Sequence, residues 1–102
     1  MRYRLIKSAE YQEWIDSETS KSKVQIAKRL SNIEIEGHFG TIREDLGEGV
    51  CELKWANGRR AYYAHIPVAN ILLLLGGNKN GQNKDISQAK KILKRWYSQN
   101  EC

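Results

Sequence analysis

The chain has 102 residues, which suits one domain spanning residues 1–102 with a single modest core. Seventeen Lys and Arg against twelve Asp and Glu give a net charge of +5, which favours an anionic partner such as nucleic acid. Two cysteines make no disulfide framework, and no zinc-site spacing is present. The N-terminus lacks a signal-peptide core, and the longest aliphatic run, 71–75, is too short to span a bilayer. We therefore predict a cytoplasmic protein without membrane contact.

The first third of the chain predicts a short strand and two amphipathic helices. Residues 2–7 can form the strand, and Ser8 suits the N-cap of the first helix. Ser20 or Ser22 can cap the second helix, and Gly37 suits its C-terminal end. Apolar residues recur at helical spacing, so we expect them in the core: Tyr11, Trp14 and Ile15, then Ile26, Ala27, Leu30 and Ile33.

Residues 49–66 predict a β-hairpin around the turn signal Asn57-Gly58, because glycine accepts the positive φ that such turns need. The first arm alternates apolar and polar side chains, as a half-buried strand does. The loop length decides which side chains share a face of the sheet. A two-residue loop would place Arg60 and Tyr62 on the apolar face beside Leu53.

A three-residue loop, 56–58, separates apolar from polar side chains better. It pairs Lys54 with Arg60 and Glu52 with Tyr62. The apolar residues then share the other face: Cys51, Leu53, Trp55, Ala61 and Tyr63. We predict this register, since a slip of one residue would bury Arg60. It would leave an open sheet face that carries two cations, a carboxylate and a phenol.

The last third of the chain predicts a buried strand, a flexible loop and a helix. Pro67 ends the hairpin, and the apolar run 70–75 is typical of a central strand. The loop 76–81 is glycine-rich, and Asn83 or Asp85 opens the helix. The apolar stripe of this helix consists of Ile86, Ala89, Leu93, Trp96 and Tyr97. Its outer face is basic and carries Lys90, Lys91, Lys94 and Arg95. The order of these predicted strands and helices along the chain indicates an α+β fold. We expect an antiparallel sheet of three to five strands with all three helices packed on one face.

Several short motifs follow one another between Tyr11 and Trp96. They are Gly47-Glu48-Gly49-Val50, Glu52-Leu53-Lys54, Arg60-Ala61-Tyr62-Tyr63, residues 73–79, Gln82, and Asp85-Ile86 with Ala89. This ordered set resembles the RelE/ParE toxin superfamily, in the HigB-like branch often called addiction module killer proteins. The hairpin loop 56–58 is shorter than is usual in that branch, and Lys54 stands where arginine is common.

The resemblance implies a RelE-like fold and a toxin of a type II toxin–antitoxin system. Its HigB-like character favours a ribosome-dependent mRNA endonuclease, an mRNA interferase that arrests translation. Its partners would be the ribosome and mRNA, and it would need neither cofactor nor metal. It also implies a HigA-like helix-turn-helix antitoxin, and contact with operator DNA only through the complex with that antitoxin. Two alternatives stay open: a ParE-like inhibitor of DNA gyrase, and a non-catalytic protein of toxin fold that only binds antitoxin and DNA.

RNA cleavage needs an activated 2′-hydroxyl, stabilised charge on the phosphate and a protonated leaving oxygen. We predict that Arg60 binds the scissile phosphate through its planar fork and that Lys54 adds charge beside it. Tyr62 would stack on a base or hydrogen-bond to the phosphate, and Glu52 would orient Arg60 or act as the base. Four further residues are predicted to contact RNA or its phosphates: Lys79, Arg59, Gln82 and Lys84.

Each of these residues also has a purely structural interpretation. Without the resemblance, an exposed cross-strand charge cluster is the favoured interpretation of Glu52, Lys54 and Arg60. His65 is expected on the face of Tyr63, where a structural role is favoured over that of a general acid.

Overall fold

The computed structural model describes residues 2–100, which form three helices and one five-stranded sheet. The elements in chain order are β1 (Arg4–Lys7), α1 (Ala9–Asp16), α2 (Ser20–Glu36), β2 (Ile42–Arg43), β3 (Cys51–Lys54), β4 (Arg59–Ile66), β5 (Asn70–Asn78) and α3 (Gln82–Gln99). One 3₁₀ turn, Lys79–Gly81, joins β5 to α3. The α+β fold and the sheet of up to five strands are therefore confirmed. Among residues 2–100, no helix is both long and apolar enough to cross a membrane.

The strands lie in the order β1-β5-β4-β3-β2. The pairs among β2, β3, β4 and β5 are antiparallel, whereas β1 runs parallel to β5. The prediction of a wholly antiparallel sheet is thus wrong at one edge. A parallel pair needs a long crossover connection, and the chain between β1 and β5 supplies it because it includes two helices and three other strands.

The predicted hairpin register is confirmed. Lys54 pairs with Arg60, and Glu52 pairs with Tyr62. The backbone N–H of Trp55 donates to the carbonyl of Arg59 at 3.0 Å, which closes the three-residue loop. Gly58 has φ +94°, a conformation that glycine adopts without steric cost. Neighbouring positions on β3 and β4 therefore point to opposite faces of the sheet.

The helices cover both faces of the sheet, so the prediction that all three pack on one face is wrong. On one face, Ile71 and Leu73 of β5 join a core with side chains of α1 and α2. On the other face, Leu72 and Leu74 join a second core with α3. The reason lies in the continuous apolar run of β5, since alternate residues of a strand point to opposite sides and both sides then need a cover.

The helix ends differ in part from those predicted. Ser8 caps α1, and Gly37 ends α2 with φ +71°, both as predicted. The N-cap of α2 is Thr19, whose Oγ1 accepts a hydrogen bond from the N–H of Ser22 at 3.1 Å. Ser20 is already inside the helix. Hydroxyl residues stand at 19, 20 and 22, and the sequence pattern alone did not choose among them.

The two glycines that were predicted to lie in a flexible loop belong to β5. Gly76 pairs with Ala61, and Gly77 pairs with Arg60. A Cβ at Gly76 would lie 2.1 Å from the ring of Trp14, so this glycine allows the indole to lie directly on the strand. The helix α3 begins at Gln82, ahead of both predicted starts.

Candidate active site

Four residues predicted for catalysis lie together on the α3 face of the sheet. Lys54 and Arg60 are directly opposite one another on β3 and β4, and Glu52 and Tyr62 form the next pair. Gln82, the first residue of α3, donates from Nε2 to Oε2 of Glu52 at 2.7 Å. The sheet register and the start of α3 therefore build one cluster from three separate parts of the chain.

This cluster is covered rather than open. Glu52 and Tyr62 are both 0% exposed, and the side chain of Arg60 is 12% exposed. The prediction of an open face with an exposed charge cluster is therefore wrong, because α3 packs on this side of the sheet. The prediction that Tyr62 stacks on a base is also wrong for this structure, since its ring is enclosed in the core shared with α3.

The buried polar atoms of the cluster are not all paired. Oε1 of Glu52, Nε of Arg60 and the hydroxyl of Tyr62 are buried without a hydrogen-bond partner among residues 2–100. Arg60 Nε lies 3.9 Å from Glu52 Oε1, close enough for an ion pair but too far for a hydrogen bond. Buried polar groups in proteins are nearly always paired with protein or water. Three unpaired groups buried in one place therefore lower the stability of the fold.

The guanidinium of Arg60 is anchored at one end only. Its Nη1 donates to the carbonyl of Trp55 at 3.1 Å and to that of Arg59 at 2.9 Å. Both acceptors flank the hairpin loop 56–58, so this end of the hairpin fixes the position of the positive charge. Its Nη2 donates to no residue among 2–100 and remains a donor for an anionic ligand, whereas Nε is buried and faces Glu52.

The phenol of Tyr62 is held in its neutral form. Burial raises its pKa, and the negative charges of Glu52 and Asp85 raise it further. At neutral pH the hydroxyl is therefore a hydrogen-bond donor beside the carboxylate of Glu52.

Asp85 is a member of this site that the sequence pattern assigned only to the start of a helix. Its carboxylate lies over Gly77, where an ideal Cβ would be 2.1 Å from Oδ2. Burial raises the pKa of Asp85, and the nearby charge of Lys84 offsets part of that effect. Gly77 pairs with Arg60, so Asp85 reaches the cluster through the gap that the glycine leaves. The sequence pattern could not show this, because Gly77 was predicted to lie in a loop and not opposite Arg60.

Arg59, which was predicted to contact RNA or its phosphates, lies outside the cluster. Its side chain lies on the opposite face, where Nε pairs with Glu18 at 3.1 Å. Nη2 donates to Ser22 at 2.5 Å, and Nη1 donates to Gln25 at 3.2 Å. Strand alternation requires this placement, because Arg60 points the other way.

The predicted lysines lie around the cluster or outside it. Lys54 is partly exposed, and Arg29 of α2 donates to its backbone carbonyl and stacks on the Trp55 ring at 4.5 Å. The aliphatic part of Lys79 lies 3.6 Å from an ideal Cβ on Gly58, which places this lysine against the hairpin turn. Lys84 is exposed on α3.

His65 lies on the opposite face from Arg60, as predicted. Its ring is 5.7 Å from that of Tyr63 and also contacts Tyr3 and Phe39. Within residues 2–100, no group of three or more His, Cys, Asp or Glu side chains is placed to hold a metal ion.

The fold matches solved structures of a bacterial toxin. The toxin RelE of Escherichia coli, in a free form with two arginines changed to alanine, superimposes with a TM-score of 0.71 at 17% identity, covering 89% of this chain and 97% of RelE. The isolated E. coli RelE toxin gives a TM-score of 0.64 at 13% identity, covering 84% and 97%. At such identities the likeness establishes a common fold.

The sequence itself has a relative in Haemophilus influenzae, an uncharacterized protein that is 31% identical over 83 residues. The match covers 78% of this chain and 82% of the relative. No protein-family model matches the sequence. The chain therefore belongs to the family of this Haemophilus influenzae protein, and it has the fold of the RelE toxins.

Proposed function

We propose that the chain is the toxin of a type II toxin–antitoxin system and that it cleaves mRNA on translating ribosomes. The observation that carries this proposal is the Glu52–Arg60 pair, buried with unpaired polar atoms beside Lys54 and Tyr62, in a chain of RelE fold. A folded protein retains such a costly arrangement where a function needs it. The HigB-like motifs of the sequence support mRNA as the substrate.

In this proposal Arg60 and Lys54 bind the scissile phosphate and stabilise the charge that develops on it. The hairpin loop and Glu52 hold Arg60 in place before the substrate arrives, so little reorganisation is needed during the reaction. Glu52 itself is fully buried, so it serves as the support for Arg60 and Gln82 rather than as the base. A preorganised donor of this kind is worth about 2.7–4 kcal/mol in the transition state.

The 2′-hydroxyl attacks the phosphate in line, the bond to the 5′-oxygen breaks, and a 2′,3′-cyclic phosphate and a 5′-hydroxyl result. The proton lost from the 2′-hydroxyl must be accepted, and one must be delivered to the leaving oxygen. Asp85 is the carboxyl group of the site that is partly exposed, and its raised pKa brings it closer to the pH at which it would work. We assign it a proton-transfer role.

The partners in this proposal are the ribosome with its mRNA and a HigA-like helix-turn-helix antitoxin, and operator DNA is reached only through the antitoxin complex. These partners place the protein in the cytoplasm. The exposed lysines of α3 would face RNA: Lys84, Lys91 and Lys94.

The test is induced expression without an antitoxin, with primer extension on a reporter mRNA. The proposal predicts cuts inside the reading frame that disappear when the start codon of the same mRNA is destroyed. A gyrase inhibitor would instead leave the mRNA intact and produce chromosome breaks with a DNA-damage response. That second result would contradict the proposal.

A further inference from the structure

A cavity of about 240 Å³ opens on the α1–α2 side of the sheet, at the end where the β3–β4 hairpin turns. Its lining consists of Trp14, Glu18, Asn57, Arg59, Gly77 and Asn78. Pockets for drug-sized ligands measure about 300–1,000 Å³, so this cavity suits a smaller group. Gly77 belongs both to this lining and to the strand pair with Arg60, so the cavity and the cluster lie on opposite faces of the same end of β4 and β5.

The two asparagines of the lining have their amide orientations fixed. Oδ1 of Asn57 accepts from the N–H of Arg59 at 3.0 Å, and Oδ1 of Asn78 accepts from the N–H of Asn80 at 2.9 Å. The oxygens are thereby committed to the backbone. Neither Nδ2 group donates to a residue among 2–100, so both NH₂ groups remain as donors for a ligand.

The charge in the cavity does not favour a phosphate. Arg59 is the cation of the lining, and Glu18 neutralises it at 3.1 Å. The indole of Trp14 adds a planar surface, held in place because it lies directly on Gly76. A planar surface with free amide donors and a carboxylate matches the face and edge of a nucleobase, which has acceptor atoms and amino groups around an aromatic ring.

We propose that this cavity binds a nucleobase of the RNA strand whose phosphate lies at Arg60. This inference rests on the proposed function, which supplies mRNA as the RNA strand. The binding of the base itself requires neither the ribosome nor cleavage. The RNA strand passes over the ends of β4 and β5 at the hairpin turn and at Gly77, with its backbone on the α3 side. The base is turned to the Trp14 side, stacks on the indole and accepts hydrogen bonds from Asn57 and Asn78.

The experiment is a titration of the purified protein with 2′-O-methyl trinucleotides of A, C, G and U, followed by heteronuclear NMR. These probes lack the free 2′-hydroxyl and cannot be cleaved, so the result is independent of activity. We expect the side-chain NH₂ signals of Asn57 and Asn78 and the indole N–H signal of Trp14 to shift, and to shift most with one of the four bases. The proposal is overturned if these side-chain signals stay unchanged at a saturating concentration of every trinucleotide. It is equally overturned if a protein partner shifts the signals and no trinucleotide does.

The matched variants are N78D, N57D and N80D. The first two keep the oxygen that accepts the backbone N–H and lose the NH₂ donor, and the third places the same charge on an exposed residue outside the cavity. We expect trinucleotide affinity to fall about tenfold in N78D or N57D, as when a base contact is lost, and to change little in N80D. If all three variants lose the same trinucleotide affinity, the added negative charge alone explains the loss, and the proposal is overturned.

Discussion

Arg59 and Arg60 are neighbours on β4 and carry the same side chain, yet the two faces of the sheet treat them differently. On the α1–α2 face, the guanidinium of Arg59 has a carboxylate, an amide and a hydroxyl as partners. On the α3 face, Arg60 has two backbone carbonyls and a carboxylate at 3.9 Å, and its Nε is unpaired. The fold thus uses all three nitrogens of Arg59, whereas among residues 2–100 only Nη1 of Arg60 makes hydrogen bonds.

The same contrast holds for the carboxylates that face these arginines. Glu18 is 25% exposed and keeps contact with water, whereas Glu52 is fully buried and leaves one oxygen unpaired. Burial of an incompletely paired charge lowers stability. We therefore interpret the α3 face as the region where the fold gives up stability for a binding site.

The largest expected effect is that of R60A on stability. The substitution leaves Glu52 buried without a counter-charge, which should lower the free energy of unfolding by about 3–5 kcal/mol. Urea denaturation measures it. The double variant R60A/E52Q removes the buried charge as well and should recover most of the loss. A double variant no more stable than R60A would show that Arg60 and Glu52 are not coupled.

A smaller loss is expected for R59A. Removal of this side chain breaks charge-assisted hydrogen bonds that join β4 to α2 and to the turn between α1 and α2, and we expect a loss of about 1.5–3 kcal/mol. Glu18 is partly exposed and can regain water, so the loss should stay below that of R60A. Thermal and urea unfolding of the two variants give the ranking directly, and the reverse order would break the comparison of the two faces.

The N-cap of α2 supports the contacts of Arg59, because this helix carries its partners Ser22 and Gln25. T19A removes the oxygen that accepts the N–H of Ser22 and should cost about 1 kcal/mol. S20A changes a hydroxyl one residue later that caps nothing, and it should cost far less. Equal losses in urea denaturation would mean that the cap is not at Thr19.

The smallest effect concerns Asp85 and depends on pH. Burial raises its pKa in the folded protein above that in the unfolded chain, so its ionised form destabilises the fold at neutral pH. D85N cannot ionise and should be more stable than the parent protein at neutral pH. This difference in the free energy of unfolding should vanish as the pH falls below the pKa of Asp85 in the folded protein and then below its pKa in the unfolded chain. At such a pH, Asp85 is protonated in the folded and the unfolded protein alike. A D85N variant that is less stable at neutral pH would mean that the carboxylate makes a stabilising contact.

The sequence predicted the hairpin and its register because alternation and the Asn57-Gly58 turn act locally. It predicted which residues meet in the cluster for the same reason, since a register determines every cross-strand neighbour. It did not predict that Glu52 would be buried, because that depends on where α3 docks. The apolar run of β5 shows no alternation that would assign a helix to one face. The role of Asp85 was missed because it depends on the absence of a side chain at Gly77.

If the Arg60 side of the sheet cleaves RNA, as we propose, single-turnover cleavage of mRNA on purified, translating ribosomes shows it most directly. The proteins to compare are the parent, R60A/E52Q and K28A, which removes an exposed lysine of α2 on the opposite face. We expect a loss of roughly 100- to 1,000-fold in the cleavage rate of the folded double variant, and little change in K28A. A folded R60A/E52Q protein that cleaves at the parent rate would contradict the proposed function.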